Sequence, residues 1–266
     1  METNIYKIDP WEIIEEGWDP GKVMGSESIF SIGNGAMGQR ANFEEDFSGK
    51  TFKGSYIGGI YYPDKTKVGW WKNGYPEYFA KVINAPSWIG ISILIDGIPL
   101  DLNKVDKIEK FERKLDMKNG LYERSISINT NNNLKVEIES KRFISMKRKP
   151  VGSISYKIRC NRDVKITLSP YIDFDVSNDD SNWDEKFWET IEKVNTLNKS
   201  LVKSKVKKTG FKVITYMKTD LYDNNVKLEK PFIAKTNSKK ILLESKHKLN
   251  KGHTLKLIKF GGYVTS

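Results

Sequence analysis

The sequence predicts an all-β protein, a large antiparallel sandwich, and three observations predict it. Apolar residues recur with a period of two through most of the chain, as in Leu134-Lys135-Val136-Glu137-Ile138-Glu139. That alternation marks a strand with one buried and one solvated face. Turn signals separate these runs at roughly the 8–12-residue spacing of sandwiches and barrels. Helical periodicity is nowhere sustained. With 266 residues, 38% of them apolar, residues 1–266 read as one domain with ample material for a core.

In chain order, Trp11–Gly17 is a short helical candidate, and Asp184–Val194 is a second. Ile91–Ile95 runs into Asp96-Gly97 and then Ile98–Leu102, a hairpin whose two turn residues need positive φ. Asn119-Gly120 repeats the device between Ile108–Met117 and Leu121–Asn129, and Asn131-Asn132-Asn133 turns the chain into Leu134–Glu139. Further strands are expected at Val151–Arg159, Val164–Val176, Lys199–Lys208, Phe211–Asp220, Lys230–Thr236, Lys239–Lys248 and Thr254–Phe260. So many strands strain one open sheet, which favours two stacked sheets. Residues 63–88 break the pattern. They hold Trp70, Trp71 and Trp88 with three prolines, and read as a long, ordered aromatic loop. Trp70, Trp71, Asn73, Tyr75, Glu77 and Trp88 are its candidate substrate-shaping or domain-docking residues, with satellite core packing as the equal alternative.

Formal charge is +11 and unevenly spread. Residues 1–100 carry 9 Lys/Arg and 13 Asp/Glu, so the excess lies in the remainder. Lysine there alternates with apolar residues, as in Leu201–Lys207, which reads as a solvated sheet face. No nucleic-acid motif accompanies it, so no nucleic-acid partner is expected. No run approaches 18 apolar residues, so no membrane helix is expected. The N-terminus lacks a secretory pattern, which implies a cytoplasmic protein unless a signal peptide has been removed. One cysteine, Cys160, excludes an internal disulfide and a multi-thiolate zinc site, and neither metal nor cofactor is expected. Two histidines, His247 and His253, flank an apparent turn and read as surface residues.

Gly33-Asn34-Gly35-Ala36-Met37-Gly38 matches G-x-G-x-x-G. A dinucleotide site needs a helix after the motif and an acidic residue about 20 positions on. The following QRANFEEDFSGKTF is no amphipathic helix and position 58 is glycine, so the glycines read as a tight backbone path. Asp173, Asp175, Asp179, Asp180, Asp184 and Glu185 fail the EF-hand spacing and read as a solvated loop with Asx turns. The neighbours Glu44 and Glu45, like Glu15 and Glu16, do not suit a pair flanking one scissile bond. Cys160 reads as a buried, inert thiol.

The segment Glu27–Glu45, with Gly33, Asn34, Gly35, Gly38, Arg40, Phe43 and Glu44, resembles the opening of the N-terminal domain of glycoside hydrolase family 65, whose members include maltose, trehalose and kojibiose phosphorylases. Gly54–Tyr61 and Lys259–Ser266 resemble the next strand and the end of that domain. The resemblance implies a large antiparallel super-sandwich like galactose mutarotase, with those signature residues structural. It also implies that an α/α-barrel carrying the general acid and phosphate site lies beyond these residues, so no catalytic residue is carried over. The family chemistry is inverting phosphorolysis of an α-glucoside. The expected role is a non-catalytic domain that supports the barrel and shapes its mouth, with the barrel and a possible second copy as partners and the α-glucoside and phosphate as the parent's substrates. The alternative is a stand-alone carbohydrate-binding module using the 63–88 loop.

Overall fold

The computed structural model describes residues 6–66, 74–130, 132–179 and 185–265, and it is the antiparallel sandwich the alternation predicts. One layer is an 11-stranded sheet. Across it the strands run Tyr6–Ile8, Glu12–Glu16, Lys107–Asp116, Leu121–Asn129, Lys135–Ile144, Val151–Cys160, Thr254–Thr265, Lys212–Asp223, Lys199–Val206 and Trp188–Asn195, with Val226–Lys227 paired onto Lys212–Asp223. The facing layer has five strands: Ile233–Thr236, Lys240–Leu249, Val164–Asp173, Ile91–Ile95 and Ile98–Pro99. A three-stranded sheet (Ile32–Gly33, Met37–Gln39, Ser55–Ile57) and a hairpin (Tyr61–Lys65 with Tyr78–Val82) complete it.

Period-two patterning sets what each strand buries. In Lys135–Ile144 the residues at 136, 138, 140, 142 and 144 are buried while their neighbours face outward. The inward isoleucines and valines of both layers merge in one core, each contributing roughly 1.5–3 kcal/mol. Trp88 is 1% exposed at its centre. A Cβ built on Gly152 or Gly261 would fall within 3 Å of the Trp88 ring, so the indole is wedged against bare backbone. Asp96 (φ 50°) and Gly97 (φ 84°) form the expected hairpin turn.

Three expectations are corrected. Both short helical candidates are strands: Glu12–Glu16 pairs on both sides, with Tyr6–Ile8 and Lys107–Asp116, and Trp188–Asn195 lines the sheet edge. Open strand edges decide the conformation of segments with weak intrinsic preference. The helix among the described residues is Val23–Ile29. Its buried face is Val23, Ser26 and Glu27, too polar for hydrophobic periodicity to reveal. The 63–88 stretch instead contributes residues 63–65 and 78–82 to a hairpin, with Tyr61↔Val82 and Lys65↔Tyr78 in register. Pro63 sits inside its first strand and disguised it. No helix of the described residues is long and apolar enough to cross a membrane.

Candidate functional site

Among the described residues, an ion cluster in the core brings four charged side chains together. Leu121–Asn129 and Lys135–Ile144 each carry one arginine on the inward face, Arg124 and Arg142, both fully buried. The chain at Phe43–Glu45 is irregular, so the two consecutive carboxylates escape strand alternation and converge on Arg124. Its Nη2 lies 2.6 Å from Glu44 Oε2 and 2.6 Å from Glu45 Oε2. Arg142 Nε donates to Glu44 Oε1 at 3.1 Å, and its Nη2 also pairs with that oxygen. The remaining Arg142 donors reach the carbonyls of Arg40 (3.1 Å) and Asn42 (2.8 Å). Tyr156 donates its hydroxyl to Glu45. The cluster therefore ties the Arg40–Glu45 segment to three adjacent strands. Such a buried network holds only while every charge is compensated.

Its electrostatics fix its chemistry. Burial opposes ionisation of Glu44, but Arg142 and Arg124 outweigh it and hold the carboxyl at about 2. A depressed pKa contributes stability above the usual carboxylate range, and that contribution is lost as pH falls toward 2. Denaturant unfolding at stepped pH is expected to show a loss on the order of 3 kcal/mol between pH about 4.5 and about 2. A profile flat across that window would contradict the assignment. Burial pushes the Tyr156 phenol well above its ordinary value, which keeps it a donor. Lys259, also fully buried, donates to the carbonyls of Gly90 (2.7 Å) and Tyr171 (2.9 Å) and thereby joins the large sheet to the facing layer. Burial pulls its ammonium pKa well down. Glu45 also borders a cleft of about 310 Å³, shared with Asp46, Tyr171 and Asp173. There the Tyr171 hydroxyl bonds Asp46 at 3.1 Å.

The glycine signature is architectural in its contacts. The Asn34 side chain donates to the carbonyls of Ser145 (2.8 Å) and Lys149 (2.9 Å) and accepts from the amides of Ala36 and Met37 (3.0 Å each). Gly35 has φ +82°, as a tight path requires. Gly33 and Gly38 have ordinary φ, so that explanation does not extend to them. Arg40 stacks over Phe52 at 4.1 Å and donates to Ser28 Oγ at 2.6 Å. Phe43 is buried beside Arg124, 5.0 Å from its guanidinium.

The aromatic segment divides. Trp70, Trp71 and Asn73 lie outside the described residues. Tyr75 and Glu77 are exposed on the hairpin. Trp88 belongs to the core, so the docking or substrate-shaping role does not apply to it in this chain. Cys160 is buried, and burial pushes its thiol up to about 12. The two histidines, partly exposed on either side of the turn, share one carboxylate: His247 Nε2 and His253 Nδ1 lie 2.9 and 3.0 Å from the two oxygens of Asp223. Asp173 Oδ1 accepts from the Asp175 amide at 3.0 Å, an Asx turn as expected, while Asp180 and Asp184 fall outside the described residues. The arginines were not anticipated. Their signal was present all the same: a charged residue in the apolar phase of a strand, as in Tyr122-Glu123-Arg124-Ser125-Ile126.

Comparison with known proteins agrees with this architecture. The profile described as Glycosyl hydrolase family 65, N-terminal domain, matches residues 13–266. Maltose phosphorylase of Bacillus subtilis (strain 168) is 45% identical over 190 residues, covering 71% of this chain and 25% of that protein. Alpha,alpha-trehalose phosphorylase of Thermoanaerobacter brockii is 30% identical over 98% of this chain and 35% of its own length. A solved structure from the human microbiome, provisionally named kojibiose phosphorylase, superposes with TM-score 0.85 at 27% identity, over 98% of this chain and 33% of that one. The chain thus spans about a quarter to a third of the length of these relatives.

Proposed function

Because the chain belongs to the N-terminal domain family of glycosyl hydrolase family 65, we propose that it is the non-catalytic supporting unit of a larger α-glucoside phosphorylase or hydrolase. The observation that carries this reading is how the fold uses its buried carboxylates. Glu44 and Glu45 are clamped by Arg124 and Arg142, Glu15 pairs with Arg113 at 2.8 Å, and Asp64 pairs with Lys81 at 2.9 Å. Glu44, held near pKa 2 by its two arginines, cannot carry a proton to a leaving oxygen at neutral pH. These groups hold sheets and loops in place, the property a rigid buttress requires.

In this reading the chemistry belongs to the rest of the parent. There, one carboxylic acid protonates the glycosidic oxygen, and phosphate attacks from the opposite face where an inverting hydrolase would place an activated water. The present chain supplies rigidity and surface, and residues 1–266 act as one folding unit. The purified chain, given maltose, trehalose or kojibiose with phosphate, is expected to release no glucose 1-phosphate above a protein-free control. Turnover by this chain alone would overturn the proposal.

A further inference from the structure

Gly38 lies within the strand Met37–Gln39, and its φ is ordinary. A Cβ built on it meets nothing within 4 Å. Neither backbone strain nor packing inside the domain therefore calls for glycine there. A glycine within a strand costs stability, and one use for it is to let another backbone approach closely.

Gly38 forms part of the floor of a shallow trough of about 480 Å³, together with Gly33, Gly35 and Gly58. The walls are apolar. Among them are Tyr61 and Val82, register partners on the hairpin that are 40% and 59% exposed. A second hollow of about 320 Å³ shares Gly35, Met37, Ile57 and Gly58 with the first and is walled by Tyr263, Val264 and Thr265. The two hollows adjoin at those four residues, and the strand Thr254–Thr265 ends against the second. Any polypeptide continuing from that strand starts at the groove, and the relatives are about three to four times as long as the part matched here. The first trough is mainly apolar, and an open apolar surface is otherwise a site for non-specific association.

We propose that the glycine-floored groove is the seat of the polypeptide that follows Ser266 in the full-length protein, an apolar stretch whose backbone crosses Gly38. This rests on the reading of the chain as the N-terminal unit of a longer enzyme. It adds which face is covered and by what. The glycines of the signature then serve the neighbouring segment as well as their own turn.

The test is hydrogen–deuterium exchange of the full-length protein beside the 266-residue chain. Peptides covering residues 33–39 and 56–61 are expected to exchange at least about tenfold more slowly in the full-length protein. Gly38→Leu in the full-length protein is expected to return them to the rate of the short chain. In the short chain a Cβ at position 38 meets nothing within 4 Å, and the same substitution is expected to leave the melting temperature within about 2 °C. Equal exchange at the groove in both proteins, with protection elsewhere on the domain, would overturn the seat and leave the supporting role standing. No protection anywhere on the domain would overturn the supporting role itself. Groove protection in the short chain that rises with protein concentration would assign the groove to a second copy and refute the proposal.

Discussion

Glu44→Gln is expected to destabilise the fold by about 3–5 kcal/mol, a fall on the order of 10 °C in melting temperature for a chain of this length. The substitution removes one charge from a cluster in which Glu44, Arg124 and Arg142 all have no exposed side-chain surface. Arg142 then keeps only neutral acceptors, and Arg124 keeps Glu45 as its one carboxylate partner. The cost is that of an uncompensated buried cation, not of one lost hydrogen bond. The double substitution Glu44→Gln/Arg142→Met is therefore expected to be less destabilised than the sum of its parts, because removing both charges costs much less than stranding one. Urea unfolding of the four proteins measures the coupling. A single-mutant loss below about 1 kcal/mol would show that the cluster does not hold the Arg40–Glu45 segment in place.

Trp88→Ala is the second large effect, about 3–5 kcal/mol. The ring is 1% exposed and fills the space that Gly152 and Gly261 leave open in neighbouring strands. The same wedge makes the reciprocal prediction. Gly261→Ala drives a methyl into the indole and to 3.0 Å from the Tyr216 carbonyl, an overpacking cost of about 1–3 kcal/mol. A smaller ring should relieve it, so Gly261→Ala combined with Trp88→Phe is expected to be more stable than additivity allows. Strictly additive losses in thermal melts would refute the wedge.

Much of this architecture was legible before any coordinates. The strands Ile91–Ile95 and Leu121–Asn129 stand where alternation placed them, because period two reports directly which side of a strand is dry. Asp96-Gly97 announced its own hairpin, since few other pairs accept two positive φ values. The glycine signature pointed to the right family and to a turn pinned by Asn34. The helix Val23–Ile29 was illegible because two of its three inward residues are a serine and a glutamate. Glu27 is satisfied there by Thr51 Oγ1 and the Phe52 amide at 2.5 and 2.6 Å, partners 24 and 25 residues away that no local pattern contains. The hairpin at Tyr61–Val82 was hidden by Pro63 and by its aromatic outer face.

The residues alone determined the class of fold, the phase of its strands and the family it belongs to. These follow from short-range physics: which dihedrals a turn accepts, and which face of a pleat avoids water. Only the assembled molecule decided that Thr254–Thr265 lies between Val151–Cys160 and Lys212–Asp223, that two adjacent glutamates close on one arginine, and that Trp88 is interior. Alternation tells a side chain to be buried but not against what. A charge in an apolar phase finds its counterion only when segments about 80–100 residues apart in sequence are brought together.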